Sequence, residues 1–158
     1  MDETSSPSGF FGLIPTMPIF LAQTDTTVGF LSQNAHSLAT LKGRDEGKPF
    51  LKVFASLSVL QKSLRIPLKH RSWVRHAQKT TFVIKNQAIR YVCDSHHTHL
   101  IAPYGWLYST SANKSGETYD PHFCRTHADR IIEDHRGFFI APPSTIVRIT
   151  TTQSQKLR

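Results

Sequence analysis

Cysteine is scarce in this sequence, which has two cysteines among 158 residues. Two cysteines are too few for the disulfide framework that holds many small secreted domains together. Cysteines and histidines in the second half of the chain offer zinc ligands, but their spacing matches no compact C-x-x-C or H-x-x-x-H pattern. We therefore expect solvated loop histidines and no protein-bound metal. The residues concerned are Cys93, His96, His97, His99, His122, Cys124 and His127.

The sequence also lacks an uninterrupted apolar segment long enough to cross a membrane. Residues 4–24 carry no charge, but three prolines interrupt them too often for a spanning helix. The positively charged start of a secretory signal is missing as well, since Asp2 and Glu3 follow the first methionine. These features predict a cytoplasmic protein with reduced thiols.

Acidic residues are few, with 11 Asp and Glu against 19 Lys and Arg, which gives a net charge of +8 and a pI near 9.8. The excess of positive charge serves either solubility or the binding of an anionic partner such as a nucleotide or RNA, and charge alone favours neither. A hydrophobic fraction of 39% and a charged fraction of 19% argue against disorder. The length suits one domain, which we assign to residues 19–158, after a loose lead-in at residues 1–18.

Local residue patterns predict several short strands. Apolar or β-branched runs bounded by polar turns indicate each strand, and two such runs around Lys85, Asn86 and Gln87 indicate a hairpin. One further strand is expected to run directly into a polar loop. The predicted strands lie within 19–22, 49–55, 80–92, 105–113, 137–141 and 144–150.

Three short helices are predicted between these strands, each with a polar residue as its N-cap. Asn34 caps the first helix, which ends in basic residues, and Ser56 or Ser58 caps the second. Thr126 caps the third, and Gly137 lies just beyond its end. The helices lie within 32–44, 56–64 and 126–135. Strands that alternate with short helices, together with one hairpin, predict an α/β (or α+β) fold on a mixed sheet.

Four polar clusters lie next to the predicted strands and helices, and open sheets bind their ligands at such strand ends. Each cluster has an ordinary explanation, because hydroxyls and amides form turns and caps, and basic residues at a helix end complement the helix dipole. The same side chains also suit a ligand, since Arg binds phosphate bidentately and Lys contributes a point charge. The clusters are TDTT (24–27), KGRDEGK (42–48), STSANKSGE (109–117) and PPSTIV (142–147).

Taken together and in order, these clusters resemble the YrdC family of threonylcarbamoyl-AMP synthases. The family pattern runs roughly P-T-D-T-x-Y-G-L, K-G-R-P-x-x-K-P-L, S-T-S-A-N-x-S-G and P-S-T-I-V, with a late Arg. In this chain TDTTVGF, KGRDEGKPF, STSANKSG and PSTIV are followed by Arg158, so that the resemblance spans residues 19–158. It implies a twisted, open mixed sheet with short helices around a basic concave cavity.

The resemblance further implies an activity and its partners. Members of the family form threonylcarbamoyl-AMP and pyrophosphate from L-threonine, bicarbonate and ATP, with magnesium accompanying ATP. Partner proteins then transfer the threonylcarbamoyl group to an adenosine of certain tRNAs. The implied activity is therefore that of a nucleotidyltransferase in tRNA modification.

Individual residues inherit expected roles from the same resemblance. Lys42 and Arg44 match the family's K-x-R pair and are expected to neutralise phosphate. Ser111 and Asn113 match its S-x-N pair and are expected at the threonine and the nucleotide, so these four residues form the implied catalytic set. The implied ATP-binding residues are Arg44, Lys48, Asn113 and Arg158, the implied threonine-binding residues are Thr24, Ser111 and Ser144, and Arg90 matches the Arg of the family's V-R-x-P segment less closely.

The chain departs from the family pattern in several places. Gln23 replaces the usual Pro, Val28 replaces the usual aromatic residue, and the P-G-P-x-T segment is missing. The positive charge leaves a non-catalytic, RNA-binding module of the same fold as an alternative. A second rival is a carbamoyl-AMP-forming relative of the kind found in hydrogenase maturation, against which the two cysteines argue, since those chains carry zinc-finger-like Cys clusters.

Overall fold

The computed structural model describes residues 17–158, in which one mixed β-sheet is flanked by short helices. The predicted lead-in lies outside the described residues as far as residue 16. The strands are β1 (Phe20–Gln23), β2 (Val28–Ser32), β3 (Leu51–Phe54), β4 (Thr80–Ile84), β5 (Gln87–Tyr91), β6 (Trp106–Ser111), β7 (Arg130–Ile132), β8 (Thr145–Ile149) and β9 (Ser154–Lys156). The α-helices are α1 (Ala35–Lys42), α2 (Leu57–Ser63), α3 (Arg71–His76), α4 (Ser95–Ile101) and α5 (Pro121–His127), with 3₁₀ turns at Leu68–His70 and Ala102–Tyr104.

Within residues 17–158 the sheet has nine strands in the order β7-β1-β2-β6-β3-β5-β4-β8-β9. The β7–β1, β3–β5 and β4–β8 pairs are parallel, and the other five pairs are antiparallel. The predicted mixed sheet with interleaved short helices is therefore confirmed. No helix in the described part of the chain combines the length and apolar character needed to cross a bilayer.

The hairpin between β4 and β5 follows directly from its sequence. Lys85 and Asn86 both adopt left-handed backbone conformations, with φ of 49° and 63°. Two consecutive left-handed residues make a two-residue hairpin turn whose twist matches that of the flanking strands. Ile84 and Gln87 then pair across the turn, and Phe82 pairs with Ile89. The predicted hairpin is confirmed, with Gln87 as the first residue of β5.

The third predicted helix, over 126–135, is wrong. The helix begins earlier, at Pro121, because the Asp120 carboxylate accepts hydrogen bonds from the backbone N–H groups of His122 and Phe123 at 3.0 and 3.3 Å. Thr126, expected as the cap, lies in the last turn instead. The chain then leaves the helix and forms β7, because β1 supplies a parallel backbone partner more than 100 residues distant in sequence.

The strand predicted over 137–141 is also wrong, because this segment has no regular secondary structure. It is nevertheless fixed to the sheet at Phe139. The backbone N–H of Phe139 donates to Gln23 Oε1 at 2.9 Å, and its carbonyl accepts from the Val28 N–H at 3.1 Å. The Gln23 side-chain amide therefore takes the place of one backbone acceptor that a neighbouring strand would supply. Strands β2 and β9 and helices α3 and α4 were not predicted.

Gly29 on β2 determines how closely the TDTT turn approaches the sheet. A Cβ at this position would lie 2.9 Å from the Thr110 carbonyl oxygen and 3.0 Å from Thr24 Cγ2. Any larger residue would push the turn away from β6, since real side chains essentially never approach so closely. The core around it is apolar and includes Leu21, Phe30 and residues of α1 and α5. The first and third polar clusters are thereby held side by side.

Candidate functional site

A cavity of about 390 Å³ forms where the four polar clusters converge. The clusters lie far apart in sequence, and the sheet order β1-β2-β6-β3-β5-β4-β8 brings their ends together. Three of the groups that line the cavity are guanidinium groups, and none of the described residues lining it is acidic. The cavity is therefore suited to an anionic ligand. The predicted site residues that line it are Thr24, Arg44, Arg90, Ser111, Ser144 and Arg158.

Lys42, Ser111 and Asn113 form a hydrogen-bonded group beside the cavity. Lys42 Nζ donates to the Ser111 carbonyl oxygen at 2.8 Å and to Asn113 Oδ1 at 3.0 Å, and the Ser111 hydroxyl donates to Asn113 Oδ1 at 2.5 Å. Asn113 Nδ2 donates to the carbonyl oxygens of Lys114 and Glu117, both at 2.7 Å. Asn113 therefore uses its amide to shape the loop after β6, and Lys42 joins the end of α1 to that loop. Lys42 and Asn113 position Ser111, which itself faces the cavity.

The position of Lys42 changes its acidity. Burial, and then the positive charge of Arg44, lower the pKa of Lys42 to about 8. A lysine with this pKa is largely protonated at pH 7 and largely neutral at pH 9. Because its folded-state pKa is lowered, the cation is lost as the pH rises through 8, well below the pKa of an unfolded lysine.

We expect the affinity of the cavity for an anionic ligand, tested with ATP, to fall as the pH rises above about 8, since the neutral amine no longer contributes positive charge beside the cavity. The measurement is the ATP Kd between pH 6.5 and 9.5 without threonine, so that titration of the threonine amine does not interfere. Lys42→Arg keeps its charge over this range and should show a flat profile, even if its affinity is lower. A falling profile in Lys42→Arg would assign the ionisation to another group.

Arg90 is the most deeply buried of the cavity arginines, although its resemblance to the family pattern was the least close. Its guanidinium donates to Asp25 Oδ1 at 2.7 Å and to the Thr81 hydroxyl at 2.8 Å. Thr81 in turn lies 3.1 Å from the hydroxyl of Ser144. Arg90 is 5% exposed and Asp25 is 13% exposed, so this ion pair is shielded from water. The chain of contacts connects the TDTT turn to the start of β8.

Asp25 and His97 complete this group of residues, and neither was among the predicted site residues. The His97 ring is fully buried, its Nδ1 accepts the Asp25 backbone N–H at 3.3 Å, and Nδ1 lies 3.6 Å from Asp25 Oδ1. Burial raises the pKa of Asp25, but the neighbouring His97 and Arg90 outweigh burial and hold that pKa below its usual value. Asp25 is therefore an anion that pairs with Arg90. The position of Asp25 within the TDTT cluster could have identified it from the sequence as a site residue.

Arg44 and Arg158 line the cavity from two other directions. Arg44 Nη2 donates to the Pro49 carbonyl oxygen at 3.1 Å, and the Arg44 guanidinium lies 4.4 Å from the centre of the Phe50 ring. Arg158 donates through Nε and Nη2 to the Ser144 carbonyl oxygen, both at 3.2 Å. These contacts fix the direction of each side chain and leave further N–H groups for a ligand. The predicted ATP-binding residue Lys48 is exposed and does not line the cavity.

The prediction of solvated loop histidines is wrong for part of the set. His96, His97 and His99 belong to α4, where the Asp94 carboxylate accepts the His97 backbone N–H and caps the helix. His97 faces the core, because its ring packs beside the ion pair of Asp25. Over residues 17–158, no three or more His, Cys, Asp and Glu side chains are grouped so that they could hold a metal ion.

Gln23 and Val28, which differ from the residues usual in the family pattern, are both buried. Gln23 Nε2 donates to the Thr26 carbonyl oxygen at 3.0 Å, while its Oε1 accepts from Phe139. Gln23 thus braces the TDTT turn from within and fixes the segment that leads to Ser144. A proline has no side-chain amide for either contact.

Comparison with solved structures shows that the fold is shared with several proteins. P. abyssi Sua5 complexed with L-threonine superposes with a TM-score of 0.74 at 19% identity, over 89% of this chain and 50% of Sua5. E. coli YciO superposes with a TM-score of 0.69 at 16% identity, over 90% of this chain and 82% of YciO. Full-length HypF in its phosphate- and nucleotide-bound form gives a TM-score of 0.69 at 13% identity, over 89% of this chain and 26% of HypF.

These TM-scores establish a common fold, the α/β architecture of Sua5 and YciO domains. The low identities leave activity to be argued from the site. The chain spans about half the length of the Sua5 structures that it matches. No family model matches the sequence, and a comparison with curated proteins found no significant match.

Proposed function

We propose that this protein belongs to the YrdC family and forms threonylcarbamoyl-AMP and pyrophosphate from L-threonine, bicarbonate and ATP. One observation carries the proposal. Six side chains that match the family's motif positions, drawn from separate parts of the chain, line one cavity with three guanidinium groups. The volume of about 390 Å³ lies within the usual range for small-molecule sites. The threonine bound to Sua5 adds support, since that protein has the same fold.

The proposed reaction joins a carbamate to the α-phosphorus of ATP. The amine of threonine adds to carbon dioxide derived from bicarbonate and loses a proton, which gives a carbamate anion. A carbamate oxygen then attacks the α-phosphorus, the bond to the β-phosphate oxygen breaks, and pyrophosphate leaves with that electron pair. Bringing two anions together requires positive charge and alignment more than covalent catalysis.

The cavity provides both requirements. Arg44 and Arg158 would each bind phosphate oxygens with the guanidinium N–H groups that their protein contacts leave free. Arg90 would bind an anion while Asp25 holds its guanidinium in one orientation. Thr24, Ser111 and Ser144 would bind the hydroxyl and carboxylate of threonine, because a serine or threonine hydroxyl both donates and accepts.

Magnesium enters this proposal together with ATP. The residues described here do not form a carboxylate site for it, because the cavity lining contains no acidic side chain and Asp25 is engaged by Arg90. Mg²⁺ commonly keeps several waters and binds through substrate phosphates. The chain's own contribution is then the arginine charge around the phosphates.

Pyrophosphate release should require ATP, L-threonine and bicarbonate together, measured with purified protein and a coupled pyrophosphate assay. Serine should support slower release, because it lacks one methyl group, and such a difference is worth about 10–200-fold in specificity. Release at the same rate without any amino acid would contradict the proposal. Formation of a threonine-dependent adenylate, identified by mass spectrometry, would separate the expected product from simple ATP hydrolysis.

The product would serve tRNA modification through partner proteins, as the family resemblance implies. The cavity has the volume of a small-molecule site, about 390 Å³. On the same resemblance, transfer of the threonylcarbamoyl group to tRNA would take place on those partner proteins.

A further inference from the structure

A second groove, lined by four cations, lies outside the cavity described above. Its volume is about 820 Å³, and Arg65, Lys69, Lys85 and Arg148 contribute its charged side chains. The groove also presents neutral hydrogen-bonding groups, from Asn86, Thr150 and Thr151. No acidic residue from the described part of the chain lines it.

The groove and the cavity lie at opposite ends of β4 and β8, which run parallel. Thr81 near the start of β4 lines the cavity, and Lys85 just after its end lines the groove. Four residues of extended strand separate them by about 13 Å. Ser144 and Ile149 mark the same two ends of β8. A ligand in one site therefore leaves the other accessible.

The charges in the groove are not neutralised within the protein. The side chains of Arg65, Lys85 and Arg148 have neither a hydrogen bond nor an ion pair to any residue of the described chain, and Lys69 Nζ donates to the uncharged carbonyl oxygen of Thr152 at 2.9 Å. Arg90 in the cavity, by contrast, has a carboxylate partner. Like charges grouped without counter-charges create a positive potential that an anionic partner lowers.

The sequence explains why no carboxylate reaches the groove. Residues 47–93 contain ten Lys and Arg and no Asp or Glu, and residues 135–158 contain four Lys and Arg and again no acidic residue. All eleven acidic residues lie in the rest of the chain. The net charge of +8 therefore understates the local charge, and all four groove cations come from these two acid-free segments.

We propose that this groove binds the phosphate backbone of RNA. Cations interspersed with neutral donors are the usual partners of phosphate oxygens. Leu68, which lines the groove and is 74% exposed, offers an apolar surface to bases and sugars. The choice of RNA over DNA rests on the function proposed above. The argument from charge does not depend on that function. The RNA held there would be the eventual acceptor of the product made in the cavity.

The test compares two double variants that lose the same charge. Lys85→Gln with Arg148→Gln removes two groove cations, and Arg125→Gln with Arg130→Gln removes two exposed arginines on α5 and β7. Binding of an unmodified tRNA transcript is measured by fluorescence anisotropy over a series of KCl concentrations. The slope of log K against log[KCl] is negative, and its magnitude should decrease by about 2 in the groove variant, about 1 for each lost phosphate contact. In the control its magnitude should decrease much less.

Competition and activity assays decide between the possible outcomes. Equal slopes in the two double variants would overturn the proposal, and so would equal competition by polyglutamate or by duplex DNA of the same charge. Pyrophosphate release should be unchanged in the groove variant, because the groove does not contact the cavity. A wild-type protein that releases no pyrophosphate, but whose groove variant still loses RNA binding, would refute the proposed enzyme and support the groove.

Discussion

Replacement of Arg90 by Met is expected to lower the free energy of unfolding by about 3–5 kcal/mol, because it leaves Asp25 as an uncompensated buried charge. Asp25 is 13% exposed, and its ion-pair partner is Arg90, whose Nη1 lies 2.7 Å from Asp25 Oδ1. Thr81 would lose its charged donor in the same variant. Urea denaturation followed by circular dichroism measures the loss.

The double variant Arg90→Met with Asp25→Asn distinguishes the ion pair from simple packing. It removes both charges, so most of the lost stability should return. Arg125→Met is a matched control that breaks an ion pair whose members, Arg125 and Glu133, are 43% and 40% exposed, and it should cost about 1 kcal/mol or less. If Arg90→Met with Asp25→Asn is no more stable than Arg90→Met alone, then the cost arises from packing and the charge argument fails. In either case the double variant should bind ATP poorly, because a cavity guanidinium is gone.

Arg44→Ala is expected to reduce pyrophosphate release by about 10²–10³-fold, the usual cost of losing one preorganised donor to developing negative charge. The Arg44 guanidinium is preorganised by Phe50 and by the Pro49 carbonyl oxygen. Its Nε is buried without a hydrogen-bond partner among the described residues. Arg44→Lys should recover only part of the activity, since a point charge cannot form two parallel hydrogen bonds.

Lys48→Ala is the matched control for Arg44, because it removes one positive charge from the same loop. Lys48 is exposed and does not line the cavity, so its loss should have a much smaller effect. Release rates and ATP Kd values of Arg44→Ala, Arg44→Lys and Lys48→Ala are compared with wild type, and circular dichroism verifies folding. Equal losses in Arg44→Ala and Lys48→Ala would mean that general positive charge supports the reaction, and not the paired N–H donors of the Arg44 guanidinium.

Local sequence patterns were sufficient where the stabilising contacts are themselves local. The β4–β5 hairpin depends on two adjacent left-handed residues, Lys85 and Asn86. Helix α1 depends on its Asn34 cap, whose side chain accepts the Ser37 N–H, and on Gly43 at its end. Such features depend on a few consecutive residues and are visible in the sequence.

Sequence patterns failed where a distant partner decided the outcome. Ile131 and Ile132 were assigned to a helix, but β1 offers them backbone hydrogen bonds across the sheet. The segment around Phe139 was assigned to a strand, but a side-chain amide, from Gln23, occupies its backbone donor. His97 was expected in solvent, yet it is buried beside Asp25, because the packing of α4 places it there.

For the candidate site, the sequence by itself determined the four polar clusters, their order and the family that they resemble, because these are properties of consecutive residues. Only the tertiary structure showed that six of the nine predicted residues line one cavity, while Lys42, Lys48 and Asn113 do not. It also showed that Arg90 is buried against Asp25. It also gathered cations from two acid-free segments into one groove. The physical reason is the same in each case: burial and electrostatic potential depend on which distant segments the sheet order makes neighbours.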